Sequence, residues 1–342
     1  MTYSCPSCHA LVEPSQDGYL CRNGHPFASY LGIPDFRVFD HPYVSRDEEM
    51  RRVNLLMEHY DSMSFEELVA FYLRDSERGH VPDELVRQYT RYRLVGSERG
   101  ENDYGQFLQH LQTLNMNVTL ASAALEVGCG TGGSVLALSR RFGEVVGVDA
   151  ALEELVLARK RLEEQGVTTA SLVCASAESL PFDESSFDFC NSICVIEHVG
   201  DQRATIQETY RVLKPNGFFF MRAPNRFTIL PEGHVKVWGV GFLPRKFASR
   251  YVTWVKGIPY EGKRPLSYLE LRGLIAESFK ENYQIFTIPG TYADLSKPGS
   301  SFPGKIYRRL VKIPILNKLM RLTECCFLPT FEAVAFKGAG KL

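Results

Sequence analysis

A short apolar run, Ala123 to Val127, ends directly in the glycine-rich turn Gly128-Cys-Gly-Thr-Gly-Gly133, and helix-patterned residues follow to Arg141. Glycines at such a turn let the backbone bend sharply and approach a ligand with no Cβ in the way. The helix N-terminus beside it favours negative charge. The same rhythm continues downstream. Val145 to Val148, Ala170 to Cys174, Phe187 to Asn191 and Gly217 to Arg222 read as strands. Leu152 to Glu164, with Leu152, Leu155, Val156, Arg159 and Leu162 at helical spacing, and Gln202 to Leu213 read as helices. This alternation over 121–223 predicts an α/β fold, a parallel sheet covered on both faces.

Asp149 closes the second strand, 19 residues after Gly130. An acid there can hold both hydroxyls of a ribose, for NAD and for S-adenosylmethionine (SAM) alike; its other reading is a helix cap for the residues from Ala150 onward. Gly128, Gly130 and Gly133 also satisfy the dinucleotide pattern G-x-G-x-x-G, so a dehydrogenase stands as the rival. The ordered set separates the two. Leu125 to Gly133, Val145-Val-Gly-Val-Asp149, Ala177-Glu-Ser-Leu-Pro-Phe182, Phe187-Asp-Phe189, Glu197-His-Val199 and Leu213-Lys-Pro-Asn-Gly217 resemble the successive motifs of class I SAM-dependent methyltransferases, of the small-molecule or ubiquinone-biosynthesis type. The resemblance implies a Rossmann-like seven-stranded sheet with an antiparallel last strand. It implies that Glu126, Gly128, Gly130 and Gly132 line the methionine part, that Asp149 holds the ribose, that Ala177 and Glu178 sit at the adenine, and that Ser192 and Ile193 face the sulfonium. Ser176 stands where the family often has Asp.

At the N-terminus, Cys5-Pro-Ser-Cys8 precedes Cys21-Arg-Asn-Gly-His25, a C-x2-C and C-x3-H pair twelve residues apart. Zinc takes four tetrahedral N/S ligands in closed structural sites, and two short knuckles supply them. Pro6 and Gly24 suit the knuckle turns, and His9 is an alternative to His25. A unit this small buries too little apolar surface to fold unaided, so a structural metal makes physical sense. The pairing of such a ribbon with a class I domain resembles bacterial 23S ribosomal RNA guanine-N1 methyltransferases. The other six cysteines, Cys129, Cys174, Cys190, Cys194, Cys325 and Cys326, read as small core residues.

Between ribbon and glycine turn, 45–117 read as helical. Ser64-Phe-Glu-Glu67 forms a capping box, and a second helix beginning near Pro82 presents Leu85, Val86 and Tyr89 on one face. Beyond the sheet, Ser267 to Phe279 reads as a capped helix, with Tyr283 to Ile288 and Phe331 to Phe336 as a closing pair of strands. Long insertions occupy 225–265 and 290–328; loops of that length are functional or carry structure of their own. Pro224 to His234 and Phe242 to Arg245 look like class I enzymes acting on small molecules or on glycan and lipid intermediates. His198, past the fourth strand, and His234 are the candidate catalytic bases or acceptor contacts, needed where the acceptor is a poor nucleophile. Glu197 reads as structural, and Tyr251, Trp254 and Tyr260 are possible walls of an acceptor pocket.

Charge is uneven. Residues 241–342 carry 17 Lys+Arg against 7 Asp+Glu, in a chain whose formal net charge is −1. Lys305 to Arg321 has six basic residues and no acid, interspersed with Ile306, Leu310, Ile313, Leu316, Leu319 and Met320. Two readings compete there: an interfacial segment for anionic lipid or a lipid-linked substrate, and an ordinary lid helix. The sequence shows no spanning apolar run and no secretory signal, so a cytoplasmic protein is expected, peripheral to a membrane if 305–321 binds lipid. The expected domains are a zinc-ribbon-like 1–40, a helical cap or linker 41–120 and a SAM-binding 121–342. Three functions follow: methyl transfer to a small-molecule or lipid- or glycan-intermediate acceptor; methylation of ribosomal RNA; and a SAM-fold binding protein without turnover. The sequence leaves the acceptor atom and the oligomeric state open.

Overall fold

The structure, a computed structural model, describes residues 2–16, 18–38, 44–76, 81–116, 122–287, 309, 313 and 328–338. The chain divides into two compact units. The first comprises Met1–Ser192, Arg203–Phe219 and Phe336–Gly340; the second comprises Ile193–Gln202, Phe220–Ala335 and Lys341–Leu342.

The first unit begins with four short antiparallel strands, β1 (Tyr3–Ser4), β2 (Leu11–Ser15), β3 (Gly18–Cys21) and β4 (Pro26–Phe27), and a two-stranded hairpin, β5 (Ser29–Tyr30) and β6 (Ile33–Pro34). Tyr3, Tyr19, Phe27 and Phe36 pack ring to ring beneath them, with centroids 5.0–5.7 Å apart. Helices α1 (Arg46–His59), α2 (Phe65–Ser76), α3 (Asp83–Leu94) and α4 (Gly96–Thr113) follow. The Ser64 capping box forms: the Glu67 N–H donates to Ser64 Oγ and the Ser64 N–H donates to Glu67 Oε2. The expected apolar face of α3 is corrected. Only Val86 of the three is buried, while Leu85 and Tyr89 are exposed, because the helix turns the Val86–Thr90 stripe inward.

The parallel core of this unit alternates β7 (Ala123–Val127), α5 (Gly133–Ser139), β8 (Glu144–Asp149), α6 (Leu152–Glu164), β9 (Ala170–Cys174) and β10 (Phe187–Ile193), followed by α7 (Gln202–Val212) and β11 (Leu213–Pro224). Leu125 lies between Val146 and Cys190, and Gly147 lies opposite Leu172. All five residues of β7 are buried. Helix α4 crosses α5 at very short range: a Cβ on Gly133 would stand 2.6 Å from the Gly96 carbonyl carbon, and one on Gly100 would stand 2.7 Å from Ser134 Cα.

Strand β11 runs through both units. In the second unit, β12 (Tyr283–Thr287) pairs antiparallel with β13 (Thr330–Phe336), with Ile285 opposite Ala333. The seven strands follow the order β12-β13-β11-β10-β7-β8-β9, mostly parallel, which makes the Rossmann-like α/β sheet expected from the motifs. Between β11 and β12 lie α8 (Arg245–Lys256) and α9 (Tyr268–Phe279), the latter closed by the expected Ser267–Glu270 capping box. The segment 225–265 therefore carries structure of its own. Its core is Val235, Val237, Val240, Ala248, Val252 and Tyr260. Trp254 is corrected as a pocket wall: it is 82% exposed, on the side of α8 away from Ala248 and Val252. Among the described residues no helix is long and apolar enough to cross a membrane. Apart from Arg309 and Ile313, the basic stretch 305–321 lies outside the described residues, as do Cys325 and Cys326.

Candidate functional site

The carboxyl ends of β7, β8, β9 and β10 bring most of the sequence candidates to one edge of the parallel sheet, the edge where such sheets bind ligands. Gly130 and Gly132 have φ of 47° and 74°, a left-handed backbone that side-chain-bearing residues seldom adopt. The Gly128 N–H donates to the Val148 carbonyl at 2.8 Å, tying the turn to β8. Asp149 then pins the turn from the next strand: its Oδ2 accepts the Gly130 N–H at 2.8 Å and its Oδ1 accepts the Ala151 N–H at 2.9 Å. The second bond closes a local turn before α6, whose N-cap is Ala151 and carries no side-chain cap bond, so Asp149 is not the helix cap. Burial pushes the Asp149 carboxyl up to about 6, against the N–H donors of Ala151 and Gly130. The Ala175 N–H donates to the Asp149 carbonyl at 3.0 Å, which sets the segment carrying Ala177, buried, and Glu178, half-buried, beside β8. Ser176 is buried. Ser192 is buried level with Val127, and Ile193, half-buried, ends β10.

Glu126 is 2% exposed and accepts a 2.6 Å hydrogen bond from Asn191 Nδ2. Burial pushes its carboxyl up to about 8, against the Asn191 donor. Sequence reading missed Asn191, which lies one strand away and shares no spacing signal with Glu126.

Sequence reading also missed the Arg37 network. Arg37, 2% exposed at its side chain, donates to Asp35 Oδ2 at 2.8 Å, to Glu49 Oε1 at 2.6 Å and to the Ala150 carbonyl at 2.9 Å. Glu49 Oε1 in turn accepts the Leu152 N–H at 3.2 Å. The segment after β6 and helix α1 are thereby fastened to the residues that follow Asp149. Asp35 also bridges to Cys174, and the Phe36 N–H donates to the Cys174 carbonyl at 2.7 Å.

The Cys/His cluster assembles as its spacing implies. Cys5, Cys8, Cys21 and His25 place their ligand atoms within 4.8 Å of one another. The Sγ atoms of Cys5, Cys8 and Cys21 lie 3.4, 3.5 and 3.5 Å from His25 Nδ1, and Cys8 Sγ lies 3.6 Å from Cys21 Sγ. Ligand atoms held 2.0–2.3 Å from a common tetrahedral centre stand about 3.4–3.8 Å apart, so the donors fit a zinc-sized ion. His9 is exposed and outside the cluster, which decides between the two histidines in favour of His25. Of the other cysteines, Cys129, Cys174 and Cys190 are buried as expected. Cys194 is corrected to exposed: φ of 56° just past β10 turns it out of the core.

In the second unit His198 and His234, 36 residues apart in sequence, come together with their Nε2 atoms 3.2 Å apart. His234 Nδ1 meets Glu232 Oε1 at 2.6 Å, and Glu232 Oε2 accepts the N–H groups of His234 and Val235 at 2.8 and 2.9 Å. Glu197, 1% exposed, lies 3.8 Å from His198 Nε2 and 3.9 Å from His234 Nε2. Burial holds His198 down at about 4 and pushes Glu197 up to about 7. A cavity of about 490 Å³ adjoins the cluster, lined by Glu197 and His234 together with Asn225, Arg226, Tyr260 and Lys263. Tyr260 both packs in the core of this segment and lines the cavity, and Glu232 is the member that sequence reading missed.

Residues 125–221 match the family model of a methyltransferase domain. A demethylmenaquinone methyltransferase of Oceanobacillus iheyensis is 28% identical over 194 residues, 56% of this chain and 67% of the relative. That of Shouchella clausii is 37% identical over 148 residues, 42% of this chain and 63% of the relative. The chain thus spans about two thirds of these curated relatives. The crystal structure of YcgJ protein from Bacillus subtilis is 20% identical, with a TM-score of 0.43, covering 68% of this chain and 98% of that one. Residues 125–221 form a class I SAM-dependent methyltransferase domain, and the motifs that separated SAM from NAD lie within or beside it. Across those residues the chain is similar to SAM-dependent methyltransferases.

Proposed function

We propose that this chain transfers the methyl group of SAM to a small-molecule acceptor, with a demethylmenaquinone-like quinol as the first to try. One observation carries the reading: the glycine turn, Asp149, Ala177–Glu178 and Ser192 converge on one sheet edge inside the matched domain. In this reading Glu126, Gly128, Gly130 and Gly132 take the methionine part, Asp149 the ribose, Ala177 and Glu178 the adenine, and Ser192 and Ile193 the sulfonium side. His198 and His234 are the candidate bases or acceptor contacts. The relatives that carry a demethylmenaquinone name supply the acceptor class. Methyl transfer is an in-line displacement, and holding acceptor and methyl in line supplies much of the rate.

The test is transfer of labelled methyl from SAM into small-molecule, lipid and RNA fractions of one cell extract. Label is expected in small molecules, and a purified demethylquinol is expected to accept it. Label confined to RNA would replace this reading with the ribosomal RNA one. SAM binding with no transfer to any fraction would leave a binding protein.

Cys5, Cys8, Cys21 and His25 are further proposed to hold one structural Zn2+, with 1–40 as the ribbon, 41–120 as the helical cap and 121–342 as the catalytic part. Four protein ligands close the coordination, so the ion organises the fold and does no chemistry. One zinc per chain is expected by elemental analysis. Cys21→Ser is expected to lose it and to lower the melting temperature, since metal binding here is folding energy. A metal-free wild type with an unchanged melting temperature after exhaustive chelation would refute the assignment.

A further inference from the structure

The Glu197–His198–His234 cluster holds more than two candidate bases. Its three ligand-type atoms lie within 4.8 Å of one another. His234 Nδ1 faces Glu232 at 2.6 Å. In the neutral ring that bond places the proton on Nδ1 and leaves the Nε2 lone pair directed at His198 Nε2, 3.2 Å away. Glu197 turns Oε1 toward both rings, and its buried Oε2 has no hydrogen-bond partner among the described residues. A buried carboxylate is costly to hold charged without a counter-charge, and a cation at Oε1 offsets that cost.

We propose that Glu197, His198 and His234 form a divalent-cation site, with Glu232 as the outer carboxylate that fixes the His234 ring. Two imidazoles and one carboxylate are the donor set of sites that keep coordination positions open for an oxygen ligand. A ligating histidine almost always gives its other ring N–H to a carboxylate or carbonyl, which is the Glu232 arrangement. Donors about 2.1 Å from one ion stand roughly 3.0–3.4 Å apart. The imidazole pair at 3.2 Å already meets this, and the Glu197 carboxylate at 3.8–3.9 Å needs to close by about half an ångström. The open positions belong to the 490 Å³ cavity, whose Arg226 and Lys263 suit an anionic oxygen on the ion. Resting on the methyltransferase reading, the ion would bind an acceptor oxygen and lower its pKa, so that the hydroxyl proton passes to solvent water and leaves the oxyanion at neutral pH. Ion binding itself does not depend on that reading.

The test is titration of the full chain with Mn2+ alone, followed by calorimetry and by loss of the free-ion electron paramagnetic resonance signal. Mn2+ is chosen because the thiolate cluster prefers softer ions. One Mn2+ per chain is expected, weakened at least about tenfold in His198→Ala and in His234→Ala and roughly 10–100-fold in Glu232→Gln. His59→Ala, on α1, is expected to bind as wild type. SAM affinity is measured on each variant, and wild-type SAM binding certifies the fold of its first unit. Wild-type chain that binds SAM but no Mn2+ overturns the site, as does Mn2+ binding that survives the double histidine variant. Mn2+ binding in a chain that transfers no methyl would keep the site and remove only its catalytic use.

Discussion

Arg37→Ala is expected to destabilise the first unit by about 3–5 kcal/mol, the cost of breaking a buried ion pair from one side. Asp35 and Glu49 are 3% and 1% exposed at their side chains, and both hydrogen-bond Arg37. Removing the guanidinium leaves two buried carboxylates, with the half-exposed Arg46 3.8 Å from Asp35. Two consequences follow locally. The Ala150 carbonyl loses its donor, and Glu49, which also holds the Leu152 N–H, loses its anchor. Arg37→Lys is expected to recover little, since one ammonium cannot serve Asp35, Glu49 and Ala150 with the fork that a guanidinium presents. Thermal unfolding checks this: a fall of roughly 6–20 °C is expected for a unit of this size, with amide exchange speeding up in α1 and at Leu152. A shift below about 2 °C would mean that the network is replaceable and that the segment after β6 is held by its aromatic packing instead.

The parallel sheet and the glycine turn were legible because they rest on local signals. Buried strands read as continuous apolar runs, and a strand that ends in Gly-x-Gly has few ways to continue. The Cys5 to His25 cluster was legible because its C-x2-C and C-x3-H spacing is a local pattern, although only the fold could choose His25 over His9. The Arg37 network was not legible. Asp35, Arg37, Glu49 and Ala150 meet through three separate elements, and no short pattern distinguishes a buried arginine from an exposed one. The histidine pair shows the same limit. Each ring was a plausible candidate alone, but their 3.2 Å approach depends on the loop that Glu232 ties down through the N–H groups of His234 and Val235. The α4–α5 contact escaped for another reason: Gly96 and Gly100 lower helix propensity, and what they gain, backbone approach to Gly133 and Ser134, is tertiary.

Asp149→Asn is expected to weaken SAM binding about 100-fold while leaving the fold intact. A carboxylate at this position can take both ribose hydroxyls, and charge-assisted hydrogen bonds are worth about 1.5–3 kcal/mol each. Losing roughly 3 kcal/mol of that corresponds to two decades in Kd. The amide is also wrong for the turn. Asp149 accepts N–H groups with both oxygens, from Gly130 and from Ala151, and the Asn NH2 must face one of those donors. Stability points the other way. Burial raises the Asp149 carboxyl to about 6, above its ordinary 3.8. Its contribution is therefore complete below pH 3.8 and lost as pH rises through 6, so the wild type carries a burial penalty at pH 7.5 that the neutral amide does not. The melting temperature at pH 7.5 is accordingly expected to change by no more than about 3 °C in Asp149→Asn, and its decline between pH 4 and 6 is expected to flatten relative to wild type. Calorimetry with SAM and melting curves across that range, on the same samples, separate the two effects. A Kd within threefold of wild type would leave Asp149 only its hold on Gly130 and Ala151, and the ribose would have to be held by another residue of the same sheet edge.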